Sequence, residues 1–225
     1  MRNDQPIELI VYGDFNCPFS ALASIRAGNL ERRGRARVDW RAVEHAPEIP
    51  TTGNEVIGDL RSELQRELDQ IRDLLTTEES DRLALPTVQS NTEQATAAYA
   101  AAPKSDRPIL RARLFAAYWH EGADLADTTT LARLGGPRTN ESTAVRWRLE
   151  WLALTKPIVP VMLMPDGYVS RGFGALARLA QLSVTDPADL GGESPCYAHL
   201  LDDHRGPEAG GRVRYVRDAR SGERP

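Results

Sequence analysis

The segment from Ile7 to Ser20 constrains the fold of this chain more than any other part of the sequence. It begins with the apolar run Leu9-Ile10-Val11-Tyr12, whose residues favour a buried strand. The run stops at Gly13-Asp14, and a Cys17-Pro18 pair follows. The residues after this pair predict a helix that ends near position 33, since proline suits the first position of a helix. The segment therefore predicts a strand that leads through a short turn into a helix.

Cys17 is predicted to lie at the N-terminus of that helix. Unpaired backbone N–H groups and the positive end of the helix dipole favour an anion at this place. A free thiol has a pKa of roughly 8.5, and such a position favours the thiolate. We therefore expect Cys17 to be a nucleophile, with Ser20 able to donate a hydrogen bond to its sulfur.

The phrase Asp14-Phe-Asn-Cys-Pro-Phe-Ser20 resembles the active-site segment of the thioredoxin superfamily, and most closely that of its DsbA-like branch, which includes the FrnE-like proteins. Those proteins usually carry Cys-Pro-x-Cys, whereas the fourth place here is Ser20. The resemblance implies a thioredoxin-like α/β fold. It also implies that Cys17 and Ser20 are the catalytic positions and that Pro18 and Phe19 contact the substrate.

The rest of the chain fits the same fold with one insertion. Residues 36–43 alternate as a half-buried strand and complete a βαβ unit, so that 5–53 form the first half of a thioredoxin-like domain. Helical periodicity dominates 54–137 and predicts an inserted helical subdomain. Residues 138–184 have the pattern of the second half: helix, strand, hairpin and helix. We expect 185–225 to be a partly mobile tail.

Val159 and Pro160 stand where the thioredoxin superfamily keeps a cis-proline beside its catalytic cysteine. The resemblance therefore implies a cis bond between them, and a loop that packs against Cys17 and binds an extended substrate through the Val159 backbone.

Local patterns give further expectations for the helical part. Ser90 and Glu93 form a capping-box signature, which predicts a helix that begins at Ser90. Val145, Leu149 and Leu152 mark the apolar face expected for the helix over 141–154.

For two histidines and the second cysteine, the sequence favours a structural role over a catalytic one. His45, in the loop after the second strand, is interpreted as an ordinary loop histidine. His120 is interpreted as a helix C-terminal residue that interacts with the dipole. Cys196 lies in the Gly- and Pro-rich tail, and we expect it not to be paired with Cys17. Two cysteines in these places form neither a disulfide framework nor a metal site.

Charge and composition exclude several kinds of partner. The net charge of −4 offers no general attraction to nucleic acid or to an anionic membrane, so neither partner is expected. The start of the chain leads into only about five apolar residues, too few for a signal-peptide core. We therefore expect a cytoplasmic protein with free thiols.

Three functions agree with these features. In the first, the protein is a thiol–disulfide oxidoreductase in which Cys17 attacks a disulfide of a protein or a small molecule. Ser20 cannot resolve the mixed disulfide, so an external low-molecular-weight thiol acts as co-substrate. No covalently bound cofactor is expected, and the sequence does not set the oligomeric state.

The second function is a small-thiol-dependent transferase or isomerase. The scaffold is similar to kappa-class glutathione transferases and 2-hydroxychromene-2-carboxylate isomerases. In those enzymes the position of Cys17 is commonly a serine, which hydrogen-bonds the thiolate of the cofactor. The third function is a non-catalytic thioredoxin-like binding protein, in which Cys17 is unreactive.

Overall fold

The computed structural model describes residues 5–80, 82–136 and 138–184. It confirms the predicted α/β class, with helices inserted between the two halves of a central sheet. In chain order the elements are β1 (Ile7–Gly13), α1 (Pro18–Arg32), β2 (Ala36–Ala42), β3 (Asn54–Glu55), α2 (Gly58–Leu74), β4 (Val88–Gln89), α3 (Glu93–Ala101), α4 (Arg107–Trp119), α5 (Thr128–Leu134), α6 (Glu141–Leu152), β5 (Val161–Leu163), β6 (Val169–Arg171) and α7 (Gly172–Val184).

The central sheet has four strands in the order β2-β1-β5-β6. β1 is parallel to β2 and antiparallel to β5, and β6 returns antiparallel to β5. Tyr12 lies opposite Val161, so the carboxyl end of β1 and the amino end of β5 meet at one edge of the sheet. This register places the turn before α1 beside the Val159–Pro160 loop. The arrangement is that of a thioredoxin-like fold, as predicted.

β1 is a largely buried strand of the sheet, and it ends at a glycine for a steric reason. Leu9, Val11 and Tyr12 are at most 2% exposed, as the apolar run predicted. At Gly13 an added Cβ would meet the Trp40 ring at 2.4 Å. That distance is too short for any carbon contact, so the chain needs a glycine to bring Trp40 against the end of β1.

The apolar face predicted for α6 is wrong. Val145, Leu149 and Leu152 are 56%, 60% and 43% exposed, whereas Trp147 and Trp151 are each 3% exposed. The helix is rotated so that the two indole rings enter the core. An aromatic ring buries more apolar area than an aliphatic side chain, so the two tryptophans decide which face is turned inward.

The capping box predicted at Ser90 is also wrong. α3 begins at Glu93 with Thr92 as its N-cap residue. The Ser90 hydroxyl donates instead to Asp124 Oδ1 at 2.8 Å. Asn91 Oδ1 accepts the Glu93 N–H at 2.9 Å, so a neighbouring amide does the capping that Ser90 was expected to do.

Other sequence expectations have mixed outcomes. His120 is the C-cap residue of α4, the helix end at which it was expected. The division into two domains stays a prediction. The expected tail and Cys196 lie outside the described residues. Within the described ranges, no helix is both long enough and apolar enough to cross a membrane.

Candidate functional site

Cys17 occupies the position that the sequence predicted for it. It is the N-cap residue of α1, with φ −96° and ψ 121°, and Pro18 is the first helical residue. The Cys17 N–H donates to the Asp14 carbonyl at 3.3 Å, and the Cys17 carbonyl accepts the Ala21 N–H at 3.1 Å. These bonds fix the turn between β1 and α1 on both sides of the cysteine.

The expectation that this position favours the thiolate is wrong for the conformation in the structure. Cys17 is only 7% exposed. Burial, together with the charges of Glu67 and Asp14, raises the pKa of its thiol from 9.0 to about 12. Hydrogen bonds from the side chain and backbone of Ser20 lower the pKa but do not offset the burial. Loss of hydration therefore outweighs the stabilising effect of the helix start, and Cys17 rests as a thiol.

Ser20 is fully buried in the first turn of α1. Its Oγ accepts the Asp14 N–H at 3.2 Å, and it also hydrogen-bonds Cys17. The predicted contact between Ser20 and the Cys17 sulfur is therefore present. In the described part of the chain Cys17 is the only cysteine, and it is free.

A buried carboxylate beside Cys17 is the main feature that the sequence analysis missed. Asp14 is 0% exposed. Its Oδ2 accepts the backbone N–H of His45 at 2.8 Å and lies 2.7 Å from His45 Nδ1. Its Oδ1 accepts the Thr92 hydroxyl at 2.7 Å. The loop after β2 and the start of α3 are thus tied to the turn that carries Cys17.

His45 is consequently not the ordinary loop histidine that was expected. Burial alone would lower the pKa of its imidazole. The hydrogen bond and charge of Asp14, with the charges of Glu67 and Glu48, raise that pKa above its ordinary value of 6.5. The Asp14–His45 pair therefore holds a proton near neutral pH more firmly than a free imidazole would.

Glu67, from α2, adds a second acidic group to this edge. Burial raises the pKa of its carboxyl from 4.5 to about 7, and the charge of Glu63 raises it as well, whereas His45 and Arg66 lower it. Glu67 acts electrostatically on both Cys17 and His45. Cys17 and two neighbouring groups, His45 and Glu67, therefore all have raised pKa values, a property typical of functional sites.

The Val159–Pro160 bond is cis, as predicted. The Pro160 carbonyl accepts a hydrogen bond from the Gly172 N–H at 2.8 Å. Within the described residues no hydrogen bond is recorded for the backbone N–H or C=O of Val159. Val159 itself is 9% exposed and belongs to the same buried cluster as Cys17.

Apolar side chains lie around this loop and the start of α1. Phe19 packs edge-to-face on Phe173 with their ring centroids 5.2 Å apart. Phe173 remains 37% exposed and Ile158 50% exposed. Pro18, by contrast, is buried. Of the predicted substrate-binding residues, Phe19 and Val159 thus lie among groups that an incoming chain could contact.

The residues that were missed had a signal in the sequence. Asp14 and His45 each follow a strand, and β1 and β2 are neighbouring parallel strands whose carboxyl ends meet at one sheet edge. Polar residues after such strands are expected to lie close together. Glu67 gave no comparable signal, because it is one of many acidic residues on α2. No group of acidic, histidine or cysteine residues in the described ranges could hold a metal ion.

Comparison with solved structures places the fold among two kinds of enzyme. The chain is similar to the probable DsbA oxidoreductase of Streptomyces coelicolor, with a TM-score of 0.60 and 15% identity over 84% of this chain and 92% of that one. It is also similar to a 2-hydroxychromene-2-carboxylate isomerase, with a TM-score of 0.50 and 20% identity over 83% of this chain and 100% of that one. Identities this low show the shared fold alone.

Sequence comparison identifies the family. No curated protein sequence matches the chain. The family model of the DSBA-like thioredoxin domain, however, matches residues 8–135, which is more than half of the chain. That range includes β1, the Cys17 turn, α1 and the helices up to α5, and hence Cys17, Ser20, Asp14 and His45. The chain therefore belongs to the family of DSBA-like thioredoxin domains.

Proposed function

We propose that this protein is a thiol–disulfide oxidoreductase with a monothiol mechanism. Cys17 attacks a sulfur of the substrate disulfide, so that a mixed disulfide forms and the other sulfur leaves as a thiol. A low-molecular-weight thiol then attacks the mixed disulfide. This second exchange releases the substrate half as a thiol and leaves Cys17 in a disulfide with the small thiol. A second molecule of the small thiol attacks that disulfide, so that Cys17 is restored as a thiol and the two small thiols leave as their own disulfide.

The observation that carries the proposal is the arrangement of Cys17 and Ser20. Cys17 is the N-cap residue of α1, so its sulfur lies at the helix start, where backbone N–H groups lack intrahelical partners. Ser20, where the resemblance expects a second cysteine, is fully buried and hydrogen-bonds the Cys17 sulfur. A serine hydroxyl cannot form a disulfide, and the described part of the chain holds no second cysteine, so we propose that the resolving thiol is an external small molecule.

The Val159–Pro160 loop supports an extended substrate. The unpaired backbone N–H and C=O of Val159 can hydrogen-bond a chain that lies alongside them. Phe19, Phe173 and Ile158 supply apolar contacts next to this edge. We therefore propose a disulfide-containing peptide segment or a small thiol peptide as the group that binds here.

We further propose that the protein is a FrnE-like member of its family and works in the cytoplasm. A reducing compartment supplies the low-molecular-weight thiol that the mechanism consumes. The mechanism needs no covalently bound cofactor, nucleic acid or membrane.

A second candidate is a small-thiol-dependent isomerase or transferase. The observation that favours it is the raised pKa of the Cys17 thiol, which burial brings to about 12. A thiol that keeps its proton can donate a hydrogen bond to the thiolate of a bound cofactor, as a serine would. In that function Cys17 would orient the cofactor and form no covalent bond.

The test compares three proteins in a Cys196→Ser background, in which Cys17 is the only native thiol. The native site should form a mixed disulfide on Cys17, detected by mass spectrometry, and should reduce insulin only when a small thiol is supplied. Ser20→Cys should form an internal disulfide with Cys17 and reduce insulin with dithiol kinetics. Cys17→Ser should lose both adduct and turnover.

Two results would reject the monothiol mechanism. One is insulin reduction by the native protein, without added thiol, at the rate of Ser20→Cys. The other is full retention of an isomerase or transferase activity by Cys17→Ser, which would favour the second candidate. A Cys17 that forms no adduct under any condition would favour a non-catalytic binding protein.

A further inference from the structure

The mechanism requires the Cys17 thiol to lose its proton inside a buried, acidic surrounding. The helix start does not achieve this alone, because burial outweighs it. A neighbouring base is therefore needed. We propose that His45, oriented by Asp14, takes the proton of Cys17 and passes it to the leaving sulfur. This inference deepens the proposed function and rests on Cys17 being a nucleophile.

Asp14 connects the cysteine and the histidine through direct hydrogen bonds. Its backbone carbonyl accepts the Cys17 N–H at 3.3 Å, and its backbone N–H donates to Ser20 Oγ at 3.2 Å. Its carboxylate holds both the N–H and the Nδ1 of His45 at 2.7–2.8 Å. The imidazole is thus attached to the same turn that carries the Cys17 sulfur.

The hydrogen bonds also define which nitrogen of His45 is the base. A carboxylate can only accept, so Nδ1 carries the hydrogen and donates it to Asp14 Oδ2. Nε2 is then the basic nitrogen of the neutral imidazole. The His45 side chain is 36% exposed, whereas the Asp14 side chain is completely buried. A buried carboxylate behind an accessible imidazole is the arrangement of a proton acceptor.

Asp14 itself is too well buried to be an ordinary surface partner. Moving a carboxylate out of water is costly unless donors replace its hydration. Thr92 and His45 supply three such donors, from two separate elements of the fold. Asp14 therefore fixes the position of the His45 imidazole relative to the turn that carries Cys17.

The surrounding charges set the pH range of this pair. Asp14, Glu67 and Glu48 face His45, and all three raise its pKa. Glu67 and Asp14 also face Cys17 and raise the pKa of the thiol. Glu67 is in turn affected by Glu63, by Arg66 and by His45 itself. The net result is a base stronger than free imidazole beside a thiol weaker than free cysteine.

The proposed step balances without any oxidant. His45 Nε2 takes the Cys17 proton while the sulfur attacks the substrate disulfide. One S–S bond forms and one breaks, and the electron pair of the broken bond stays on the leaving sulfur. His45 then returns the proton to that sulfur, which departs as a neutral thiol.

The experiment measures the rate of Cys17 alkylation by iodoacetamide against pH, in the Cys196→Ser background. In the native site the rate should rise through the pKa of His45, level off, and rise again as bulk solvent deprotonates the thiol.

The His45→Gln variant should lack the first rise in rate and react about ten- to a hundredfold more slowly at neutral pH. Asp14→Asn should shift the first inflection to lower pH, because the charge that raises the His45 pKa is gone. His120→Gln, which alters another helix-end histidine, should leave the profile unchanged.

If His45 had a purely structural role, its replacement would not move the inflections of the pH profile. Identical profiles for native protein and His45→Gln would overturn the proposal. If that variant does not fold, NMR titration of His45 in the native protein decides instead: an imidazole pKa that differs from the first inflection overturns the proposal, and agreement supports it.

Alkylation uses no disulfide, so the two proposals can fail separately. A profile that depends on His45, in a protein that forms no mixed disulfide, would support the proton transfer and reject the oxidoreductase. A mixed disulfide on Cys17 with a profile independent of His45 would support the oxidoreductase and reject the proton transfer.

Discussion

Two buried polar clusters lie against α1, and they differ in how completely their charges are paired. The first joins Arg26 and Glu79, whose side chains are 3% and 5% exposed. Arg26 donates to both Glu79 oxygens at 2.8 Å and to the carbonyls of Leu74 and Leu176 at 2.6 Å and 2.8 Å. Glu79 also accepts the Thr76 N–H at 2.9 Å. This cluster is a closed structural link between α1, α2 and α7.

The second cluster is the one around Cys17, and it has acidic groups in excess. Among the described residues, Asp14, Glu67 and the thiol face one imidazole, and no arginine there is at hydrogen-bonding distance from them. Burial would raise the pKa of Glu79, yet Arg26 and Thr76 bring it below its ordinary value, whereas the pKa of Glu67 is raised to about 7. The comparison shows that burial alone does not indicate function. A buried cluster whose charged groups are incompletely neutralised is the feature that is typical of a functional site.

The largest expected effect comes from opening the closed cluster. Arg26→Met leaves Glu79 buried without its cation, and removal of one partner from a buried ion pair costs about 3–5 kcal/mol of unfolding free energy. Urea unfolding followed by circular dichroism measures this loss. The matched control is Arg33→Met, because Arg33 pairs with the neighbouring Glu78 at the surface, with exposures of 43% and 69%. The control should change stability by about 0–1 kcal/mol.

Equal losses for the two arginine variants would remove the distinction between a structural cluster and an exposed pair. A larger loss for Arg26→Met, together with unchanged Cys17 alkylation in the fraction that remains folded, would show that this cluster serves stability alone.

The contrast also explains what could be predicted from the sequence. The order of elements and the position of Cys17 follow from local signals: an apolar run, a proline at a helix start, and a strong turn. The strand ends point to Asp14 and His45, but the other contacts of the two clusters have no local signal, because Arg26 meets Glu79 and Asp14 meets Thr92 only after distant segments pack. The pKa of Cys17 was predicted in the wrong direction for the same reason. The helix dipole is a local property, whereas burial depends on the whole fold.

A medium effect is expected from removing one donor of the Cys17 cluster. Thr92→Val keeps the shape of the side chain but leaves Asp14 Oδ1 buried without its hydrogen bond, at a cost of about 1–3 kcal/mol. Thr96, one turn later on α3, is the matched control, because its buried hydroxyl has no hydrogen-bond partner among the residues that the structure describes. Thr96→Val should therefore be neutral or slightly stabilising in thermal unfolding. A loss for Thr96→Val as large as that for Thr92→Val would mean that packing, and not the bond to Asp14, determines stability here.

The smallest effect is expected from removing the excess charge itself. The folded-state pKa of Glu67, about 7, lies above its unfolded value of 4.5, so the native protein loses stability as the pH rises from about 4.5 through about 7. Glu67→Gln removes this loss. The variant should match the native protein below pH 4.5 and be more stable above pH 7 by about 1 kcal/mol, a value reduced for partial exposure. Asp73→Asn, an exposed change on the same helix, should show no such pH dependence.

Because Glu67 also raises the pKa of Cys17, Cys17 in the Glu67→Gln variant should be alkylated about two- to tenfold faster at neutral pH. Gln keeps the size of Glu, so faster alkylation without a pH-dependent gain in stability would mean that the Glu67 charge affects the thiol but does not destabilise the fold. The Cys17 cluster would then not differ from the Arg26 cluster in the stability cost of its charges.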